Sequence, residues 1–102
     1  MFLKGKTALI TGSTSGIGLG YARALAAEGA SVMINGFGGA AEIQGYVEEL
    51  IRTSNAGALH SGADMTKPEE IRAMVADCTA KLGAPDILIN NAGIQHVSPV
   101  DS

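Results

Sequence analysis

The residues in this sequence best suited to chemistry are the glycines of one short turn. Thr11 is followed by Gly-Ser-Thr-Ser-Gly-Ile-Gly, which places glycines at positions 12, 16 and 18. A Cβ atom at these positions would obstruct the turn and keep its backbone away from a pyrophosphate, whose charge the N–H groups at a helix start can bind. The spacing G-x-x-x-G-x-G differs from the general dinucleotide fingerprint, G-x-G-x-x-G. The pattern predicts a phosphate-binding turn, with a plain tight turn as the alternative.

Residue types that often carry catalysis or bind metals are isolated in the sequence. Cys78 is the single cysteine, and neither His60 nor His96 lies near it at metal-ligand spacing, so we expect no metal site. Cys78 belongs to an apolar stripe at helical spacing and is expected to lie in the core rather than to be reactive. Tyr21 and Tyr46 lie within predicted helices at core spacing. We therefore predict no catalytic residue in this chain.

The composition predicts one globular domain, because 46% of the 102 residues are apolar. Seven Lys and Arg against ten Asp and Glu give a formal charge of −3 without a basic block, so neither nucleic acid nor a membrane is expected as a partner. No apolar run approaches the roughly 18 residues of a membrane span, and the first residues turn polar too soon for a signal peptide. We expect a cytoplasmic protein.

Short apolar segments alternate along the chain with segments of helical periodicity. The predicted strands are residues 7–11, 31–35, 58–63 and 86–90. The predicted helices are residues 17–28, about 13 residues around 43–51, and residues 66–82. The first and fourth strands have the nearly unbroken apolar character of strands that are buried on both faces of a parallel sheet.

Two helices carry more detailed signals. The third is expected to begin with a capping hydroxyl on Thr66, three residues before Glu69, with Pro68 in the first turn. The first is expected to turn one apolar face towards the core. That face comprises Ile17, Tyr21, Ala24 and Leu25.

The order β-α-β-α-β-α-β, with short loops, predicts an α/β fold with a doubly wound parallel sheet and helices on both faces. Right-handed crossovers would give the strand order 3-2-1-4. In such sheets, ligands bind between the carboxyl ends of strands one and four. The Gly-rich turn and the segment Asn-Asn-Ala-Gly at 90–93 both lie at that crevice.

These two motifs together resemble the signature of the short-chain dehydrogenase/reductase family, T-G-x-x-x-G-I-G with N-N-A-G, and the resemblance covers the whole chain. It implies that residues 1–102 are the N-terminal part of a single NAD-binding Rossmann domain. It also implies that a catalytic Ser and Tyr-x-x-x-Lys lie in the second half of the full-length protein. Here the residues four positions after Tyr21 and Tyr46 are Leu25 and Leu50. The chain alone is therefore expected to be inactive.

The resemblance also implies the cofactor contacts. The first motif would surround the pyrophosphate with the amides and hydroxyls of Gly12, Ser13, Thr14, Ser15, Gly16, Ile17 and Gly18. The adenosine ribose would be bordered by Asn91, Ala92 and Gly93, while Asn90 would help to fix the sheet. Asp64 would accept a hydrogen bond from the adenine amino group, with Met65 beside it. The alternative for Asp64 is a structural role in the turn that leads to Thr66.

The end of the second strand bears on the choice between NAD and NADP. An acidic residue there would bind the ribose 2′-hydroxyl of NAD, and an Arg would pair with the 2′-phosphate of NADP. Gly36 and Phe37 stand at these positions, and Ser15 stands where members that use NADP often carry a base. Since no cation is available for the phosphate, NAD is the expected cofactor. Phe37 would either flank the adenine or cover the core.

A closer resemblance is to one subgroup of the family, the bacterial D-3-hydroxybutyrate dehydrogenases of ketone-body metabolism. The residues that carry it are Gly12 to Gly16 and the segments 35–38, 62–65 and 91–97. In that subgroup, the Gln of the last segment binds the carboxylate of a short 3-hydroxy acid. The resemblance implies this role for Gln95, with an ordinary polar loop residue as the alternative, and none for His96.

The resemblance further implies a homo-oligomer, a tetramer, for the full-length protein. One alternative keeps the family and changes the substrate, as in a 3-ketoacyl reductase or a sugar or alcohol dehydrogenase. Another is a non-catalytic nucleotide-binding or assembly module.

Overall fold

Strands and helices alternate along residues 2–91, the part of the chain that the structure, a computed structural model, describes. The elements are β1 (Thr7–Thr11), α1 (Gly16–Ala27), β2 (Ser31–Asn35), α2 (Ala40–Ser54), β3 (Ala58–Ser61), α3 (Pro68–Lys81) and β4 (Ile87–Asn90). All strand pairs are parallel, and the strand order is β3-β2-β1-β4. The predicted fold class and strand order are confirmed.

The strand β1 lies between β2 and β4, and all five of its residues are buried, as its apolar run predicted. Leu9 lies opposite Met33 of β2 and Leu88 of β4. At the carboxyl end, Thr11 lies opposite Asn90. The turn after β1 and the residues after β4 consequently meet at one edge of the sheet.

The sheet has a separate apolar cluster on each face. The cluster under α1 and α2 comprises Ala8, Ile10, Ala22, Ala26, Ala30, Val32, Ile34, Leu50 and Ala58. The cluster under α3 comprises Leu9, Met33, Met74 and Cys78. Cys78 is fully buried, as predicted, and its Sγ lies 3.7 Å from the Gly83 carbonyl oxygen. Burial, together with the nearby charge of Asp77, raises the pKa of this thiol.

The buried face of α1 differs from the prediction. Its buried residues are Gly18, Leu19, Ala22 and Ala26. Of the predicted face, Ile17 is 68% exposed, Tyr21 is 40% exposed and Ala24 is exposed, while Leu25 alone packs against the core from a half-buried position. The prediction placed the largest side chains inwards. Apart from Leu19, the buried residues are small, and small residues let the helix axis approach the sheet closely.

The start of α3 also differs from the prediction. The helix begins at Pro68 with Lys67 as its N-cap, and no side chain caps it. Since the residue before a proline disfavours the helical conformation, the helix cannot include Lys67. The hydroxyl of Thr66 instead donates to Asp64 Oδ1 at 2.7 Å, so the predicted capping box is absent.

The strand β4 is less buried than its apolar sequence predicted. Ile87 and Ile89 pack partly against the cluster under α1 and α2, but Leu88 on the other face is 68% exposed. Within residues 2–91, β4 is an edge strand, and α3 covers Leu9 and Met33 but not Leu88.

Strand β3 is two residues shorter than predicted, because it ends at Ser61. No described helix is long and apolar enough to cross a bilayer.

The close contact of α1 with the sheet can be tested with two alanines of that helix. Ala22 is fully buried, whereas Ala24 is exposed. Ala22→Leu should lower the free energy of unfolding by about 1–3 kcal/mol, because the added carbons have no space. The control, Ala24→Leu, should change it by less than about 0.5 kcal/mol. Urea denaturation of both variants measures the difference, and equal values would contradict this description of the α1 interface.

Candidate functional site

A cleft of about 720 Å³ opens at the carboxyl edge of the sheet. It is lined by Gly12, Thr14, Ser15, Asn35, Gly36, Phe37, Ala63, Asp64, Met65, Thr66, Ile71, Asn90 and Asn91. The predicted contact residues among these are Gly12, Thr14, Ser15, Phe37, Asp64, Met65 and Asn91. The structure therefore brings the turn after β1, the loops after β2 and β3, and the end of β4 together at the predicted crevice.

The turn between β1 and α1 depends on left-handed backbone conformations. Gly12 and Gly16 have φ angles of 60° and 58°, which glycine adopts more readily than other residues. Ser15 is the N-cap of α1, but its side chain makes no capping hydrogen bond. The first turn of α1 contains no acidic residue, whereas those of α2 and α3 contain Glu. The uncapped amides and the helix dipole together favour an anion at this helix start.

Gly18 is buried where α1 packs against the turn. A Cβ atom on Gly18 would lie 2.7 Å from Asn91 Nδ2 and 2.8 Å from Ser13 Cα, and it would also overlap the Gly12 carbonyl oxygen. Asn91 Nδ2 donates to that same carbonyl at 2.9 Å. The structure gives Gly18 a packing role, because this glycine does not line the cleft.

Ser13 and Ile17 do not line the cleft either, and their expected cofactor contacts stay a prediction. Ser13 is fully buried, where its Oγ donates to the Ile10 carbonyl at 2.6 Å and accepts from the Asn35 N–H at 2.9 Å. The hydroxyl thus bonds one backbone group of β1 and one of β2, both buried. Ile17 and Gly16 are exposed at the start of α1.

Asp64 lies after β3, where its carboxylate organises the next turn. Oδ1 accepts hydrogen bonds from the Thr66 N–H at 2.9 Å and the Thr66 hydroxyl at 2.7 Å. These bonds lower the pKa of Asp64, so the carboxylate stays charged until the pH falls through that lowered value. The structural role considered for Asp64 is therefore present. Both bonds use one oxygen, and the residue also lines the cleft.

The loop after β2 forms a corner of the cleft that has no room for a side chain. Gly36 has a φ of 146°, and a Cβ atom there would lie 2.5 Å from Thr14 Oγ1. That hydroxyl donates to the Phe37 carbonyl at 2.9 Å. On the other side, His60 Nε2 lies 2.7 Å from the Gly36 carbonyl oxygen. Phe37 itself is 75% exposed, so it does not cover the core.

The described lining of the cleft carries a single charged group. Among the lining residues of the described chain, Asp64 is the only ionisable one, and none is Lys or Arg. Residues 2–91 also contain no group of three or more His, Cys, Asp or Glu side chains close enough to hold a metal ion. Among residues 2–91, the groups of the cleft that can attract a phosphate are therefore backbone amides and the helix dipole.

The end of β4 is joined to the turn after β1. The Thr11 hydroxyl donates to Asn90 Oδ1 at 3.1 Å, which agrees with the expectation that Asn90 fixes the sheet. Together with the bond from Asn91 to Gly12, this contact closes one side of the cleft. Several other predicted residues lie outside the described chain: Ala92, Gly93, Gln95 and His96.

Sequence reasoning did not nominate Asn35, Thr66 or Ile71 as cleft residues, although all three line it. Asn35 offered a signal, since it is a polar residue at the end of an otherwise apolar strand. Its side chain is almost wholly buried and bonded, which the sequence alone does not reveal.

Comparison with known proteins identifies the family. A sequence model described as short chain dehydrogenase matches residues 6–102. The chain belongs to this family. Two D-beta-hydroxybutyrate dehydrogenases, from Rhizobium meliloti and Cupriavidus necator, are 51% and 50% identical to it over 96 and 99 residues. These alignments cover 94% and 97% of the chain but 37% and 38% of the relatives, so the chain spans little more than a third of their length.

A solved structure supports the same fold. L-sorbose reductase from Gluconobacter frateurii, in complex with NADPH and L-sorbose, aligns with a TM-score of 0.79 and 32% identity. The alignment covers 97% of this chain and 40% of the reductase. Members of the short-chain dehydrogenase family bind nicotinamide cofactors.

The packing role of Gly18 can be separated from general effects of a methyl group on α1. Gly18→Ala in the full-length protein should weaken cofactor binding by about tenfold or more, equivalent to about 1.4 kcal/mol, because the turn must shift. Gly20→Ala is the matched control, since nothing lies within 4 Å of its Cβ position. It should keep cofactor affinity and gain up to about 1 kcal/mol of stability. Fluorescence titration with the reduced cofactor measures the affinity, and similar behaviour of the two variants would contradict the packing role.

Proposed function

We propose that the full-length protein is an NAD-dependent oxidoreductase that interconverts D-3-hydroxybutyrate and acetoacetate. The observation that carries the proposal is the identity of 51% and 50% to two D-beta-hydroxybutyrate dehydrogenases along almost the whole chain. Another curated relative, a 2-dehydro-3-deoxy-D-gluconate 5-dehydrogenase, is 37% identical. In this proposal the 102 residues bind the adenosine half of the cofactor and carry one substrate contact.

The cleft fits the adenosine and pyrophosphate of a nicotinamide dinucleotide. The uncapped start of α1 would bind the pyrophosphate. The Asp64 carboxylate, which only accepts hydrogen bonds when charged, suits the adenine amino group. Phe37 and Met65 would offer apolar surface to the adenine ring. Bound in this way, the nicotinamide would supply the hydride-transfer chemistry.

The preference for NAD rests on charge and space at the loop after β2. A 2′-phosphate would lie near Gly36 and Phe37, where the described cleft has no cation to neutralise it. Desolvating an unpaired phosphate costs free energy, so NADP should bind more weakly. The absent acidic residue at position 36 also has a physical reason, because Thr14 occupies the space that its side chain would need. The ribose hydroxyls would therefore contact Thr14 and the backbone rather than a carboxylate.

The cofactor preference is the first test of this function. The full-length protein should use NAD at least about tenfold better than NADP, a difference of about 1.4 kcal/mol. Phe37→Arg should narrow this gap, since a guanidinium could pair with the 2′-phosphate. Phe2→Arg is the control, because it adds the same charge at a side chain that is 87% exposed and does not line the cleft. Steady-state kinetics with both cofactors measure the ratio, and an equal or reversed preference in the unmodified protein would contradict the NAD assignment.

The substrate contact is proposed for Gln95, which lies outside the described residues. It follows Asn90 and Asn91 by a few positions in the sequence, and these two residues line the cleft. Its amide N–H groups would donate to the carboxylate of a short 3-hydroxy acid. The support for this role is the N-A-G-I-Q-H segment that resembles the 3-hydroxybutyrate dehydrogenases.

Replacing Gln95 tests the substrate assignment. The loss of one hydrogen bond to a charged group costs about 1.5–3 kcal/mol, so Gln95→Ala should lower kcat/KM for 3-hydroxybutyrate by roughly ten- to a hundredfold. The affinity for NAD should change little. His96→Ala is the neighbouring control and should leave both quantities nearly unaltered. Unchanged kinetics for Gln95→Ala would remove this residue from the substrate site and weaken the 3-hydroxybutyrate assignment.

We also propose that the full-length protein is a homo-tetramer, as the family resemblance implies, and that it is cytoplasmic. The 102 residues by themselves should bind the adenosine half weakly and without turnover, because they contain no Tyr-x-x-x-Lys segment.

A further inference from the structure

Asn35, the last residue of β2, has an almost fully buried side chain, and both Oδ1 and Nδ2 of its amide form hydrogen bonds. It is 2% exposed. Its Oδ1 accepts a hydrogen bond from the Gly12 N–H at 3.2 Å, and its Nδ2 donates to the carbonyls of Ser61 and Ala63, each at 3.1 Å. One side chain thus connects the turn after β1 to the end of β3 and the segment beyond it.

These partners lie beside the two halves of the proposed cofactor site. Gly12 begins the turn that leads to the start of α1, where the pyrophosphate is proposed to bind. Ala63 directly precedes Asp64, the proposed acceptor for the adenine amino group. The bonds of Asn35 therefore fix the distance between the two groups proposed to contact the pyrophosphate and the adenine of one ligand.

The backbone of Asn35 is tied to the turn independently of its side chain. The Ser13 N–H donates to the Asn35 carbonyl at 2.6 Å, and the Asn35 N–H donates to Ser13 Oγ at 2.9 Å. These two bonds and the β-sheet pairing of Asn35 with Ser61 do not involve the side-chain amide of Asn35. A variant at position 35 should thus keep the turn beside β2 while losing the link to the segment before Asp64.

From this arrangement we infer that Asn35 is a positioning residue, which holds the pyrophosphate and adenine subsites at the spacing of a dinucleotide. A ligand that contacts both subsites gains affinity because its second contact is intramolecular, and this gain depends on the spacing. Asn35 should therefore matter for ligands that carry both groups and matter little for ligands that carry one. The inference rests on the proposed function, since it uses the same cleft.

The experiment compares two ligands in the full-length protein. ADP-ribose contains adenosine and pyrophosphate, whereas adenosine reports the adenine subsite alone. Asn35→Ala should weaken ADP-ribose binding by at least about tenfold and change adenosine binding by less than about twofold. Calorimetric titration serves for ADP-ribose, and an NMR titration serves for adenosine. In kinetics, the KM for the dinucleotide should rise with little change in kcat.

A second variant and a control separate positioning from stability. Asn35→Asp keeps the size of the side chain and the acceptor for Gly12, but it places a carboxylate oxygen against the Ser61 and Ala63 carbonyls. It should show the same selective loss of ADP-ribose affinity. Thr7→Val removes a partly buried hydrogen bond, from the Thr7 hydroxyl to the Leu82 carbonyl at 3.2 Å, at the opposite end of β1. It should leave the ratio of the two affinities unchanged even where it lowers the melting temperature.

Each outcome decides for or against the inference. An equal loss for both ligands, or no loss for either, would overturn the positioning role. Failure of both Asn35 variants to fold would also overturn it, because Asn35 would then be required for the fold as a whole. Unmodified protein that binds neither ligand would contradict the proposed function itself, whereas binding of both ligands without selective loss in the variants would contradict the positioning role alone.

Discussion

The carboxyl edge of the sheet depends on the close contact between α1 and the turn that precedes it. Gly18 lies against the Gly12 carbonyl, Ser13 and Asn91 with no room for one further carbon atom. This contact directs the uncapped start of α1 towards the cleft and buries Ser13 under the turn. It also leaves the Gly12 carbonyl to be satisfied by Asn91, which joins β4 to the same assembly. The proposed phosphate site, the strand pairing and the helix packing therefore share one set of atoms.

The fold could be predicted from the sequence because each strand and helix is signalled locally. Apolar runs, glycines after helices and the alternation of elements leave few alternatives for the strand order. The orientation of α1 about its axis could not be predicted in the same way. Hydrophobicity favoured Ile17 and Tyr21 as inner residues, but the contact at Gly18 fixes the helix so that Ala22 and Ala26 face the sheet. The predicted start of α3 at Thr66 was wrong for a local reason. The effect of Pro68 on the conformation of Lys67 outweighs the capping pattern of Thr66 and Glu69.

The cleft residues that belong to a sequence motif could be predicted. Those that are linked by hydrogen bonds between different strands could not. Gly12, Thr14 and Asp64 belong to recognisable segments, and the structure places all three in the cleft. The link from Asn35 to Gly12 and Ala63 joins residues that are far apart in sequence and become neighbours only through the strand order. Similarly, buried Ser13 forms hydrogen bonds with the Ile10 carbonyl and the Asn35 N–H, and no local sequence pattern indicates these bonds.

Cys78 makes the contact between α3 and the sheet observable without the introduction of a probe residue. It is the sole cysteine among the 102 residues, it is fully buried, and its pKa is raised, so a thiol reagent can attack it only after the helix separates from Met33 and Leu9. The rate of thiol modification would then report local opening on the side of the sheet away from α1. A ligand in the cleft that stabilises the segment between β3 and α3 would slow this modification, which gives a chemical measure of binding that requires no turnover.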